Sequence, residues 1–405
     1  MGSDSLVERE ANRRLLFILS NLAIFMIGLG FAVRSNIAPD LQADIFNTLN
    51  LARSAAMVGE VIAATFIGFA LTLLFGGALV DWVGMQRVLY FAAFGYILGS
   101  LFVFFAASSG SYWLVYVGFL LTGLGWGAVE AATNPLVATI FPEEKTHRLN
   151  VLHAWWPAGI VVGGLAGLGL EMLGFDWRVN LLLLMAPGIA LAWITSKAEF
   201  PVTERVASGV SYAQMFQALL KSPGFFIWVI CMMGTVTAEL APGQWVDLTL
   251  SNIVGMPGIL VLVYVSALMF VMRHFAGHIV ARISSTGLLT LSVVCTAVGL
   301  YALSVSDSPA LAFVAATVWG IGVCYLYPTM LSSVSERYPQ GGALFLGIMG
   351  FAGGMATQYI LPVMGQIYDE AKLNAAGGLE AFTQLEGVAL AEAIRVASIE
   401  SFQFV

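Results

Sequence analysis

The sequence predicts an all-α polytopic membrane protein, with twelve spans arranged as two six-helix halves. Three observations lead there. Of the 405 residues, 59% are hydrophobic and only 10% charged, against about 25% charged in soluble domains. The apolar residues fall in runs of the ~20-residue length that crosses a bilayer core, and mean hydropathy is +0.88. Those runs also recur, because a shift of 197–200 residues lays one part of the chain on the other.

Met1 to Asn12 is a polar leader, and a first span follows from Leu15 to about Leu41, interrupted by Arg34, Asn36 and Pro39. A loop leads to a second span from Ala55 to Val80, with Glu60 near its entrance. Further spans are expected over 88–107, 112–141, 149–173 and 179–195. The longest polar break is 197–222. Within it, residues 212–220 have the amphipathic spacing of a helix lying along a membrane surface. The second set is expected over 225–250, 258–280, 286–305, 310–335 and 343–367. The last stretch, 387–405, starts apolar but carries Glu392, Arg395 and Glu400, and reads as a twelfth span that is cut short. The expected units are thus a first half over 1–196, a linker over 197–222 and a second half over 223–405.

The repeat pairs GALVDWVG (Gly77–Gly84) with GHIVARIS (Gly277–Ser284), and TIFPEE (Thr139–Glu144) with ERYPQG (Glu336–Gly341). Six spans, a linker and six more in parallel repeat is the layout of a large transporter class, whose solute site lies at midplane between the halves. Basic residues decide the orientation. With the N-terminus in the cytoplasm, the inner loops collect Arg9, Arg13, Arg14, Arg87, Lys145, Arg148, Lys197, Arg205, Lys221, Arg282 and Arg337. The outer loops keep only Arg53, Arg178 and Lys372, as the positive-inside rule requires. A monomeric multi-pass protein of a bacterial inner membrane is expected.

Other classes are disfavoured. No basic run with interleaved aromatics invites nucleic acid. Cys231, Cys295 and Cys324 lie in apolar segments without metal-ligand spacing and read as small packing residues. The first apolar run is too long for a cleavable signal peptide and lacks a small-residue cleavage site. No phosphate-cradling P-loop occurs, so ATP is not expected to drive the protein. Neither an enzyme activity nor a cofactor is expected.

The stretch Leu120–Pro142, LLTGLGWGAVEAATNPLVATIFP, organises the candidate site. Glu130 and Asn134 stand one helical turn apart and share a face. An acid at membrane depth normally faces a polar cavity, and Gly123, Gly125 and Gly127 let a neighbouring helix approach closely. Arg34 and Asn36 are further polar groups at depth. Glu239, Gln244 and Trp245 surround Pro242-Gly243, a break that exposes backbone groups. Arg273 either lines the site or ties spans together through carbonyls. His153 is a candidate proton relay or a packing histidine. Trp126 and Trp245, each close in sequence to a membrane acid, can stack on the apolar face of a sugar ring. Trp155, Trp156 and Trp319 do not rise above the tryptophan background of membrane helices, and His274 and His278 read as residues of the cytoplasmic end.

The loop between spans two and three reads Gly77-Ala-Leu-Val-Asp81-Trp-Val-Gly84-Met-Gln-Arg87. It resembles the major facilitator superfamily signature G-x-x-x-D-x-x-G-x-(x)-R. The glycines permit a tight turn, and Asp81 can accept bonds from a helix N-terminus or an arginine at a cytoplasmic gate. That contact would latch an outward-facing state. In the second half Asp81 aligns with Ala281, so any latch there is degraded.

A closer resemblance lies in VEAATNPLVATIFPEEKTHRLNVLHAWWPAG (Val129–Gly159). It is similar to the fucose–galactose–glucose proton-symporter group of that superfamily, which carries E-x-x-x-N-P followed by H-R-L-N. Glu239–Trp245 resembles the group's E-x-x-x-G-x-W, and Gly320–Pro339 resembles its G-x-G-x-x-x-x-x-P-T stretch. The resemblance implies a secondary transporter for a sugar or related polar molecule. It casts Glu130 as the acid of the sugar and proton site, with Asn134 as its polar neighbour. The coupling ion would be a proton, or sodium in its place. One departure stands out: the group's first-span acid is replaced here by Ser35, with Arg34 beside it. Arg34 is therefore expected either to neutralise Glu130 or to receive an anionic group on the substrate. Two alternatives stay open at this point: a transporter of small organic anions using Arg34 and Arg273, and a non-transporting sensor on the same fold.

Overall fold

The computed structural model describes residues 3–142, 145–202, 209, 211–338 and 342–404, and no strand occurs among them. Its long helices are α1 (Ser3–Asn36), α2 (Ser54–Val83), α3 (Met85–Ser109), α4 (Tyr112–Ile140), α5 (Lys145–Met172) and α6 (Val179–Thr195). They continue with α7 (Phe225–Val254), α8 (Ile259–Arg273), α9 (Ala276–Ser304), α10 (Pro309–Arg337), α11 (Gly342–Ala376) and α12 (Gly387–Gln403). Nine stretches among the described residues are long and apolar enough to cross a membrane, and α6 and α8 are shorter apolar helices. A short helix, Tyr212–Leu220, sits in the linker, started by a reciprocal capping box between Ser211 and Gln214.

Small residues set how closely these helices pack. A Cβ on Gly123 of α4 would stand 2.0 Å from the Thr65 carbonyl oxygen of α2. Gly127 likewise meets the Phe69 carbonyl of α2, and Gly125 meets the Ala92 carbonyl of α3. The three glycines therefore seat α4 against two neighbours, which aims Glu130 inward. Within the first set, α1 packs on α5, and α2 and α3 pack on α4. Within the second, α9 packs on α10, and α11 packs on α7 and α12. The two sets meet along α2–α11, α5–α8 and α1–α7.

At the end of the bundle away from the N-terminus, α2 and α11 are joined by a buried polar cluster. Asp369 of α11 accepts from the Ala55 and Ala56 amides at 3.2 and 2.8 Å, the first turn of α2. Lys372, one turn along α11, donates to Asp369, to the Leu51 carbonyl at 2.9 Å and to Ser54 Oγ at 3.2 Å. An acid from one set of helices thus caps the positive end of a helix from the other. Lys372 was expected in an outer loop, yet it is 2% exposed. The correction follows from these bonds, which let α11 run to Ala376 instead of ending near 367.

Other boundaries also move. The first long helix stops at Asn36, and a turn at Ile37 separates it from a short helix containing Pro39. The α8 helix ends at Arg273, earlier than the expected 280, because the chain turns at His274 and Phe275. The α9 helix then begins at Ala276 and kinks at Ser284, whose φ is +62°. Parts of the repeat pair Thr139–Glu144 with Glu336–Gly341, and of the linker 197–222, fall outside the described residues, as does the side chain of Ala281.

Candidate functional site

Three helix-interior prolines prepare the centre of the bundle. A proline in a helix removes the bond to the carbonyl four residues back. Pro157 releases the His153 carbonyl, Pro328 the Cys324 carbonyl and Pro242 the Ala238 carbonyl. Each released oxygen is taken up by a side chain. Arg273 donates from Nη1 to the His153 oxygen at 3.0 Å and from Nε to the Cys324 oxygen at 3.1 Å. Trp319 Nε1 donates to the Ala238 oxygen at 3.2 Å. Arg273, in the last turn of α8, thereby ties α5 of the first set to α10 of the second.

These bonds frame a central cavity of about 40 Å³, lined by Trp126, Glu130, His153, Trp156, Glu239, Arg273 and Tyr327 together with Ile27, Phe69, Val236, Leu240 and Gly350. Ordinary ligand pockets hold about 300–1,000 Å³, so as it stands this cavity has room for a few waters and not for a sugar. The Glu130 carboxylate accepts from Trp126 Nε1 at 3.0 Å and from Tyr327 OH at 3.3 Å. The first donor is on its own helix and the second reaches across from α10. Glu239 of α7 faces Arg273 at 3.6 Å, both nearly fully buried. His153 Nε2 lies 3.0 Å from Asn134 Oδ1. Asn134, His153 and Arg273 so form a polar line from α4 through α5 to α8. Trp126, Trp156 and Phe69 supply aromatic faces, with the Trp126 and Phe69 ring centres 4.5 Å apart.

The residues singled out from sequence divide into two groups. Glu130, Trp126, His153, Glu239 and Arg273 line the cavity, and Asn134 joins them through His153. Arg34, Asn36, Gln244 and Trp245 do not line it. Arg34 is 1% exposed and makes no ion pair with Glu130 among the described residues. The expectation that Arg34 neutralises Glu130 is therefore corrected: the Trp126 ring touches both, with its N–H on Glu130 and its face 5.8 Å from the Arg34 guanidinium. Gln244 instead holds the α1–α7 contact, accepting from Arg34 Nε at 3.3 Å and donating to the Phe31 carbonyl at 3.0 Å. Ser35 donates to the Gly243 carbonyl beside it at 3.1 Å. Trp245 packs near Tyr368 of α11, and Asn36 lies against Gly167 and Asn180.

Tyr327 and the proline-released carbonyls were missed from sequence. Their signals were present, in a tyrosine preceding Pro328 and in prolines four residues after His153, Ala238 and Cys324. At the other end of α2, Asp81 is half-buried in the last turn, Gly77 is half-exposed and Arg87, on α3, is exposed. Gly84 makes the α2–α3 turn with φ +89°, a conformation that glycine adopts without strain.

Comparison with known proteins agrees with this architecture. The chain is 24% identical over 165 residues to the L-fucose-proton symporter of Escherichia coli, covering 40% of this chain and 37% of that protein. It is 27% identical over 167 residues to the hexuronate transporter of Bacillus subtilis, again 40% of this chain and 37% of the relative. The matches span only about a fifth to two-fifths of the length of such curated relatives. The crystal structure of a D-xylose-proton symporter superposes with a TM-score of 0.72 at 14% identity, covering 96% of this chain and 97% of that one. Residues 20–378 match the family described as the Major Facilitator Superfamily. That match covers most of the chain, and with the helical bundle it makes this protein an integral, multi-pass member of the major facilitator superfamily.

Proposed function

We propose that the chain is a proton-coupled secondary transporter of a sugar or related polar small molecule, working by alternating access. The observation that carries this reading is Glu130, a cavity-lining carboxylate held by Trp126 and by Tyr327 from the opposite set of helices. Such a group changes its environment whenever the two sets part. Its carboxylate meets solvent when they part and is enclosed when they close, so a proton and a solute can be taken up together on one side and released on the other. The aromatic faces of Trp126 and Trp156 suit the C–H face of a sugar ring.

The names of the relatives support the solute class: L-fucose, hexuronate and myo-inositol are polyhydroxylated rings or sugars. In this reading residues 1–196 and 223–405 are the two rocking halves, joined by the linker over 197–222. The protein sits as a monomer in a bacterial inner membrane with its N-terminus in the cytoplasm and needs no cofactor. Asp81, Gly77, Gly84 and Arg87 form the cytoplasmic gate. The α2–α11 cluster at Asp369 then lies on the outer side. The test is uptake into proteoliposomes under an imposed pH gradient. Wild type should accumulate solute with the gradient, whereas Glu130→Gln should lose accumulation yet keep solute exchange. Accumulation in the wild type that ignores the gradient would rule out proton coupling.

A further inference from the structure

Arg34 is the unusual charge of this molecule. Its side chain is 1% exposed, and neither Nη1 nor Nη2 makes a well-formed hydrogen bond among the described residues. Around it lie the Gln244 amide oxygen on Nε, the Trp126 ring and the Tyr96 hydroxyl, which is near enough to act on its charge. Among the described residues no ion pair joins it to an acid. Arg273, the other buried arginine, differs in kind, because it is matched by Glu239 and by two proline-released carbonyls.

Counting charge makes the consequence plain. The ionisable groups at the centre are Arg34, Glu130, His153, Glu239 and Arg273. Glu239 and Arg273 cancel, and a neutral His153 meets the Asn134 oxygen with one ring N–H. With Glu130 ionised the centre sums to zero, and with Glu130 protonated it sums to plus one. A closed carrier in the bilayer tolerates a neutral centre far better than a charged one. A proton taken up with a neutral sugar leaves one uncompensated positive charge. A proton taken up with a monoanion leaves none.

We infer that the transported solute is a monoanion, a sugar acid or similar polyhydroxylated carboxylate, and that Arg34 is the residue that selects it. This rests on the alternating-access reading above. Arg34 reaches the solute because its contacts are the α1–α7 contacts. The Arg34–Gln244, Ser35–Gly243 and Gln244–Phe31 bonds all join the two halves and open when the outer side opens. The two Nη groups then present the planar fork that binds a carboxylate in bidentate fashion. Trp126 touches both groups, its face under Arg34 and its N–H on Glu130, so the solute anion and the proton meet at one ring. Transport is a one-to-one movement of proton and anion and carries no net charge.

The test uses matched pairs in proteoliposomes, D-glucose against D-glucuronate and D-galactose against D-galacturonate, each with a pH gradient and each with a potassium–valinomycin potential. At least one acid should be accumulated with the pH gradient and ignore the potential, while its neutral partner is not. Arg34→Gln should lower uptake of the acid at least about tenfold, the scale of one charge-assisted bond. Arg34→Lys, which keeps the charge, should recover part of it. Circular dichroism and thermal unfolding check that the variants fold. Accumulation of the neutral sugars, or a potential-driven response, overturns the anion assignment and leaves the transport reading standing. Transport of the acid by Arg34→Gln at the wild-type rate overturns the role of Arg34. Failure of every member of the panel to exchange across the membrane overturns the sugar-transport reading and this inference together.

Discussion

Among single residues, Arg273 shows best how a buried charge is kept. It spends three donor groups on Glu239 and on two carbonyls that prolines have released. Arg273→Met should leave Glu239 buried without its cation, a change that costs about 3–5 kcal/mol. The double variant Arg273→Met/Glu239→Gln should recover part of that loss, because the orphaned charge is gone. Thermal unfolding in detergent checks both. A double variant no more stable than Arg273→Met would show that the carbonyl bonds, and not the acid, account for the loss. Neither the partnership of Arg273 with Glu239 nor that with the carbonyls is legible in sequence, since the residues lie 34 to 120 positions apart. The prolines that prepare the carbonyls are legible.

At the scale of elements, glycine placement fixes which helices touch and how deeply. A side chain on Gly123 collides with the Thr65 carbonyl, whereas a Cβ on Gly169 of α5 meets nothing within 4 Å. Gly123→Val should therefore push α4 from α2 and destabilise the protein by about 1–3 kcal/mol, the usual cost of overpacking. Gly169→Ala should be neutral or slightly stabilising, because alanine is the better helix former. Paired melting curves of the two variants decide it, and equal effects would mean that helix propensity outweighs contact. The helices themselves were largely readable, because a bilayer demands long apolar runs and the chain supplies them. The misplaced ends of α8 and α11 were not. A lysine at the end of an apolar run reads as loop until Asp369, Ser54 and the Leu51 carbonyl are seen around it.

For the whole molecule, closure at the end away from the N-terminus, the outer side in the proposed orientation, rests on contacts between the two sets of helices, among them the buried Asp369–Lys372 cluster. Asp369→Asn should weaken the cap on α2 and release Lys372 from its partner. Charge-assisted bonds contribute about 1.5–3 kcal/mol, so the balance between closed and outward-open forms should move roughly tenfold toward open. The readout is a cysteine at Ser35 in a chain lacking Cys231, Cys295 and Cys324, labelled from outside with a membrane-impermeant thiol reagent. Faster labelling in Asp369→Asn is the expected result. Unchanged labelling would mean that the apolar α2–α11 contact alone keeps the outer side shut.

By itself the sequence determined that this chain crosses a membrane many times, because it supplies repeated apolar runs of the ~20-residue length that a bilayer core demands. It determined the family as well, through the Gly77–Arg87 signature and the spacing around Glu130, and it marked Glu130, Glu239 and Arg273 as residues needing a reason to be where they are. The tertiary structure decided which of these charges answer one another. Pairing depends on how helices distant in sequence are rotated and seated, and that rotation is set by side-chain packing along whole helix faces. Only the assembled bundle gives Glu239 to Arg273, sets Trp126 against both Glu130 and Arg34, and leaves the Arg34 guanidinium without an ion pair among the described residues.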